Sequence, residues 1–218
     1  MANHGQSLRP PYHDTPSPNP TQNSQHNYYG RIVITIVSGL PRSGTSLMMQ
    51  MLAAGGMPLL TDLERKPDID NPHGYCEWEP AKLLPKQPNL IDEAEGKAVK
   101  VISQLLLSVP RGRSYKLIFM ERPLPEVLAS QDEMLKRRGA TEPVDPALLT
   151  SAFRHHMQEV IAWLEQRVDI SICRMGYRKV LADPSASATA VRDFLGVDLN
   201  VEAMALAVDP SLYRNRRS

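Results

Sequence analysis

A β-branched run, a glycine-bounded loop and an apolar helix follow one another in the first quarter of this chain. Ile32-Val33-Ile34-Thr35-Ile36-Val37-Ser38 leads into Gly39-Leu40-Pro41-Arg42-Ser43-Gly44-Thr45-Ser46, and Leu47-Met48-Met49-Gln50-Met51-Leu52 comes next. Strand, loop and helix in that order make the unit that cradles phosphates. The loop reads G-x-x-x-x-G-T-S, one residue away from the nucleotide-binding G-x-x-x-x-G-K-[ST]. Thr45 stands where the lysine belongs, and Arg42 is the only cation in the loop. Backbone N–H groups and the positive end of the helix still suit an anion. The β,γ-phosphates of ATP, however, lose their lysine.

The length of 218 residues suits one α/β domain with a sizeable core. A net charge of +1 gives no case for nucleic acid or for a membrane surface as partner. Basic residues cluster only locally, at Lys136-Arg137-Arg138 and Arg214-Asn215-Arg216-Arg217. Cys76 and Cys173 lack metal-ligand spacing and read as free thiols in a reducing compartment. With no transmembrane run and no signal-like N-terminus, the expectation is a soluble, cytoplasmic protein. Residues 1–29 are rich in Pro, Asn, Gln, Ser and His and nearly devoid of aliphatic side chains. Such a segment buries too little to offset its ordering entropy, so a disordered tail is expected, followed by a single domain over 30–218. Its histidines His4, His13 and His26 read as solvated rather than metal-binding.

Beyond the first helix the chain turns at Gly55-Gly56 and enters a polar, proline-punctuated stretch from Thr61 to Gly74, a long loop of the kind that often carries function. It ends in Tyr75-Cys76-Glu77-Trp78-Glu79-Pro80. A helix is expected over about Ile91–Gly96, and a second strand over Ala98–Ser103. Tyr115–Met120 reads as a buried third strand. Leu124, Val127, Leu128, Met134 and Leu135 trace a helical face ending at Gly139. Asp145-Pro146 opens the longest helix, Asp169–Cys173 is the fourth strand, Asp183-Pro184 caps another helix, and Asn200 begins a last short one. Alternating strands and helices imply a three-layer α/β/α fold around a mainly parallel sheet.

Nucleotide enzymes with such a loop place an Asp at a neighbouring strand end to hold Mg²⁺. Here the third strand ends in Glu121 and then Arg122, so no metal is expected. An arginine at the carboxyl end of a parallel strand points into the crevice where ligands bind. Ser130, eight residues on, can offer a hydroxyl to the same anion. The plainer reading pairs Arg122 with Glu126 at i,i+4 on a helix surface. Two anion sites suggest a donor carrying phosphate at both ends of its nucleoside. Val37 through Ser46 resembles the 5′-phosphosulfate-binding loop of the PAPS-dependent sulfotransferases, and Glu121 through Ser130 is similar to their 3′-phosphate motif. Tyr177-Arg178-Lys179-Val180-Leu181-Ala182-Asp183-Pro184, with Asp193-Phe194-Leu195-Gly196, resembles the segment after the fourth strand of that family.

The resemblance implies a P-loop-type fold and a set of roles. Pro41, Arg42, Ser43, Gly44, Thr45 and Ser46 would hold the 5′-phosphosulfate of PAPS, Arg122 and Ser130 the 3′-phosphate. Tyr177 would approach the adenine, and Arg214 or Arg216 would close on the nucleotide from the C-terminal segment. Arg42 and Lys100 would supply the cations that support the sulfuryl group in transfer, without a metal. The histidine-base branch has Lys-x-His where this chain has Lys100-Val101-Ile102, so a carboxylate base is expected, as in branches acting on carbohydrates or tyrosyl proteins. Glu77 is the first candidate and Glu79 the second, with Glu64 and His73 also in range. The acceptor would be a small molecule, carbohydrate or peptide bearing a hydroxyl or amine. The alternatives are a P-loop small-molecule kinase, disfavoured by Thr45, and a nucleotide-binding module without catalysis.

Overall fold

The computed structural model describes residues 1, 33–62, 68, 74–137, 139 and 145–212. The chain partitions into Met1–Gly30 and Arg31–Ser218, and every element below belongs to the second unit. The expected tail apart from Met1, together with Glu64, His73, Arg138, Arg214 and Arg216, lies outside the described residues.

Five strands form one sheet: β1 (Val33–Gly39), β2 (Leu59–Leu60), β3 (Ala98–Lys100), β4 (Ser114–Glu121) and β5 (Ile170–Gly176), in the order β2-β3-β1-β4-β5. All pairs are parallel. The helices are α1 (Thr45–Ala54), α2 (Ser103–Leu106), α3 (Leu124–Arg137), α4 (Pro146–Glu165), α5 (Tyr177–Ala182), α6 (Pro184–Leu195) and α7 (Val201–Leu206). No described helix is long and apolar enough to cross a membrane.

The apolar run of β1 fits a central parallel strand, which is covered on both faces. Ile34 and Ile36 of β1 join Leu117 and Phe119 of β4 on one face, under Val160 and Leu164 of α4 and Trp78 and Leu84. Val37, Ile118 and Met120 face the other way, onto Met48, Met49 and Leu52 of α1 and Val191 and Leu195 of α6. The register puts Lys100 beside Val37, Met120 beside Gly39 and Gly176 beside Glu121. Residues from four strands therefore reach one edge of the sheet. From β1 the chain first builds one side of the sheet and then returns past β1 to build the other. The crevice beyond the carboxyl ends at such a divergence is where open α/β sheets bind ligands.

The caps agree with the sequence. Asp145 accepts from Ala147 N at 2.8 Å, Asp183 from Ala186 N at 2.9 Å, and Asn200 from Ala203 N at 2.9 Å. Other expectations are corrected. The segment expected as a helix at Ile91–Gly96 is a 3₁₀ helix, Pro88–Ala94, too short to repay an α-helical nucleus. The second strand is β3 and stops at Lys100, because the chain leaves the sheet and Ser103 opens α2. The two-residue edge strand β2 and the six-residue α5 have no periodicity to reveal them.

Removing the α6 cap by Asp183→Ala should cost about 1 kcal/mol, and in a domain of this size lower the melting temperature by roughly 2–4 °C. Calorimetry reads this directly, and an unchanged melting temperature would show that packing against α7, not the cap, fixes the start of α6.

Candidate functional site

The loop after β1 is shaped by close approaches. Gly39 has φ +150° and Gly44 φ +103°. A Cβ on Gly39 would lie 2.5 Å from the Met120 carbonyl oxygen, and one on Gly44 would lie 2.5 Å from the Tyr177 ring. Both positions therefore need glycine for space as well as for backbone conformation. Arg42, between them, is left-handed without being glycine, at φ +69°. Beyond Gly44 the backbone N–H groups of α1 open toward the crevice. Ser43 is 1% exposed, and its hydroxyl has no hydrogen-bond partner among the described residues. A buried orphan hydroxyl costs about 1–3 kcal/mol, which a bound anion would offset.

The two anion motifs meet physically. Arg42 Nε donates to Ser130 Oγ at 2.9 Å, and Arg122 Nη1 donates to the Arg42 carbonyl at 3.1 Å. Arg122 also lies over the Tyr177 ring, 4.5 Å from its centroid. The i,i+4 pairing with Glu126 is present, Arg122 Nε to Oε2 at 3.0 Å, but both side chains are buried rather than on a helix surface. Arg178 reaches the second oxygen of the same carboxylate, its Nε donating to Oε1 at 2.7 Å. Two guanidinium groups thus share one carboxylate, leaving the corner positive. Glu126 and Arg178 were not among the sequence candidates. The i,i+4 spacing and the residue beside Tyr177 were the available signals.

The other half of the site lies at β3. Lys100, nearly buried, donates to the Tyr75 carbonyl at 2.6 Å and to Ser46 Oγ at 3.3 Å, and it lies 3.4 Å from Glu77 Oε1. Ser46 Oγ donates to the same Tyr75 carbonyl at 3.2 Å. Gln50 of α1 holds the Gly74 carbonyl at 3.0 Å, Thr61 holds the Glu77 carbonyl at 2.8 Å, and Tyr75 Oη donates to Asp68 at 2.6 Å. The residues before the 3₁₀ helix Glu79–Leu83 thus form a strap tied across the start of α1. Cys76, the other non-glycine residue at positive φ among those described, has φ +49° immediately before Glu77. Burial pushes the Cys76 thiol up, with Lys100 opposing.

Of the sequence candidates, Glu77, Lys100 and Ser46 come together on one side of the loop, and Arg42, Arg122, Ser130 and Tyr177 on the other. Glu79 instead pairs with Lys82 at 2.5 Å, away from Lys100. His156 of α4 went unnoticed in the sequence. Its Nε2 lies 3.0 Å from Ser103 Oγ, just beyond Lys100, and burial holds its imidazole below the usual histidine range, against the pull of Glu159. Among the described residues no three His, Cys, Asp or Glu side chains are grouped to hold a metal ion.

The α/β fold is similar to that of a solved sulfotransferase domain. The chain matches the sulfotransferase domain from the Synechococcus PCC 7002 olefin synthase with a TM-score of 0.51 and 17% identity, over 91% of this chain and 93% of that one. The sulfotransferase domain from the curacin biosynthetic pathway matches at 0.48 and 16%, over 83% and 88%. A sugar kinase from Janibacter sp. HTCC2649 matches at 0.36 and 14%, over 82% and 96%. No protein-family model matches the chain, and no curated protein does.

Glu126→Gln should destabilise the protein by about 3 kcal/mol, since it leaves buried Arg122 without its counter-charge. Urea unfolding measures this. A loss below about 0.5 kcal/mol would mean that water, not Glu126, stabilises the arginine cluster.

Proposed function

We propose that this chain is a PAPS-dependent sulfotransferase acting on a hydroxyl or amine acceptor. The observation that carries the reading is the hydrogen bond from Arg42 to Ser130, reinforced by Arg122 on the Arg42 carbonyl. It joins the loop motif to the second anion motif, as a donor with phosphates at both ends of its nucleoside requires. The orphan Ser43 hydroxyl, the glycine-walled cradle and the cationic Arg42, Arg122 and Lys100 all fit such a nucleotide.

In this reading Ser43, Gly44, Thr45 and Ser46 hold the 5′-phosphosulfate through backbone N–H groups and hydroxyls. Arg122 and Ser130 hold the 3′-phosphate, Tyr177 flanks the adenine, and Arg214 or Arg216 closes on the nucleotide. PAPS supplies a sulfuryl group whose bond to the 5′-phosphate breaks as the acceptor oxygen bonds to sulfur. Lys100 stands ready to exchange the Tyr75 carbonyl for negative charge developing on the bridging oxygen. Glu77, 25% exposed and held beside Lys100, takes the acceptor proton. General-base help of this kind is typically worth about 10²–10⁴-fold.

The donor assignment is tested by titration calorimetry without Mg²⁺. PAP should bind much more tightly than adenosine 5′-phosphate, and Arg122→Ala should remove most of the difference, about 1.5–3 kcal/mol for a charge-assisted contact. Equal affinities in the wild type, or tighter binding of ATP–Mg²⁺, would favour the small-molecule kinase instead. The base is tested separately. Glu77→Gln should keep PAP affinity within a few-fold while slowing sulfuryl transfer from PAPS to the wild type's preferred alcohol by roughly a hundredfold. Normal turnover in this variant would remove Glu77 from the mechanism.

A further inference from the structure

On the face of the sheet that carries α4, a cavity of about 310 Å³ opens beside the loop. Ser43 and Arg122 are among its lining residues, so it adjoins both anion motifs. Its body is apolar: Leu40, Phe119 and Leu124 on one side, Phe153 and Met157 of α4 on the other. At the rim α4 adds Arg154 and Gln158, one and five residues beyond Phe153. Glu121 also reaches the wall, but its carboxylate is occupied by Arg174 at 2.9 Å.

Arg154 differs from every other arginine in the described residues. The other nine each have a hydrogen bond or an ion pair. Arg154 has neither with any described residue, and Gln158 likewise has no hydrogen bond. A cation without a counter-charge, at the mouth of an apolar cavity, matches a ligand that brings its own anion. Tyr177, the candidate neighbour of the adenine, packs on Gly44 and does not line the cavity. The cavity therefore adjoins the 3′-phosphate position at Arg122 but not the adenine position. At about 310 Å³ it lies at the small end of ligand pockets, and so suits a small molecule rather than an oligosaccharide.

Resting on the sulfotransferase reading, we infer that this cavity is the acceptor pocket and takes an apolar hydroxy compound with an anionic group at its far end. The hydroxyl points toward Ser43 and the loop, the hydrocarbon body lies between Phe119 and Phe153, and the anion meets Arg154. A carbohydrate, expected from the sequence as one possible acceptor, would leave most of its hydroxyls facing apolar side chains, and each unpaired polar group is costly.

The test is calorimetric binding to the full chain saturated with PAP, using 8-hydroxyoctanoate, octan-1-ol and N-acetylglucosamine as probes. 8-Hydroxyoctanoate should bind at least about fivefold more tightly than octan-1-ol, with N-acetylglucosamine weakest. Arg154→Ala, an exposed change, should abolish the carboxylate preference while leaving PAP affinity and melting temperature unchanged, and Arg154→Lys should restore part of it. Equal binding of the acid and the alcohol, a preference that survives Arg154→Ala, or displacement of PAP by the acid would each overturn the inference. If the acid binds through Arg154 in protein that cannot bind PAP, the donor assignment fails and the ligand class of the cavity stands.

Discussion

The site depends on a buried carboxylate. Glu126 is fully buried and takes Arg122 on one oxygen and Arg178 on the other. Two like charges roughly 6 Å apart repel by about 3 kcal/mol at an effective dielectric near 20, so arginines do not gather at a strand end unaided. Glu126 offsets that repulsion and fixes Arg122 so that its other nitrogen reaches the Arg42 carbonyl. Arg42 is thereby held left-handed and directed at Ser130. Without the carboxylate the loop and α3 would lose the connection that turns two anion motifs into one surface. The pair need not add net stability, since desolvating it costs several kcal/mol per ion. Its effect is on geometry.

A second constraint works from the opposite side of the loop. The Tyr75 carbonyl accepts from both Lys100 and Ser46, and Gln50 holds the neighbouring Gly74 carbonyl. These bonds keep Lys100 and Ser46 pre-oriented toward a shared acceptor position and place Glu77 within reach of Lys100. Among the described residues, the two non-glycine residues at positive φ, Arg42 and Cys76, fall one in the loop and one in the strap. Strain of that kind persists where the surroundings over-determine it, and it clusters at functional sites.

What the sequence revealed followed from local physics. The β-branched run of β1, the glycines that space the loop, and the caps Asp145, Asp183 and Asn200 act within a few residues, so their patterns are visible directly. The loop and the Arg122–Ser130 spacing were visible for the same reason. Contacts over long separations were not. His156 meets Ser103 across 53 residues and Arg178 meets Glu126 across 52, and nothing in either segment marks its partner. The Tyr75 carbonyl is a backbone group that every residue has, so its role has no sequence signature. The i,i+4 pair of Arg122 and Glu126 was legible as a pair, but its burial is set by α3 packing at the sheet edge. The apolar wall beneath Arg154 likewise exists only once α4 lies across β4.

The central claim is that one nucleotide spans both halves of the Arg42–Ser130–Arg122 surface. A crystal structure of the chain with PAP tests it most directly. The account predicts the 5′-phosphate on the backbone N–H groups of residues 43–46 and the 3′-phosphate within hydrogen-bond distance of Arg122 and Ser130. A 3′-phosphate in solvent, with Arg122 still turned to the Arg42 carbonyl and Glu126, would contradict it.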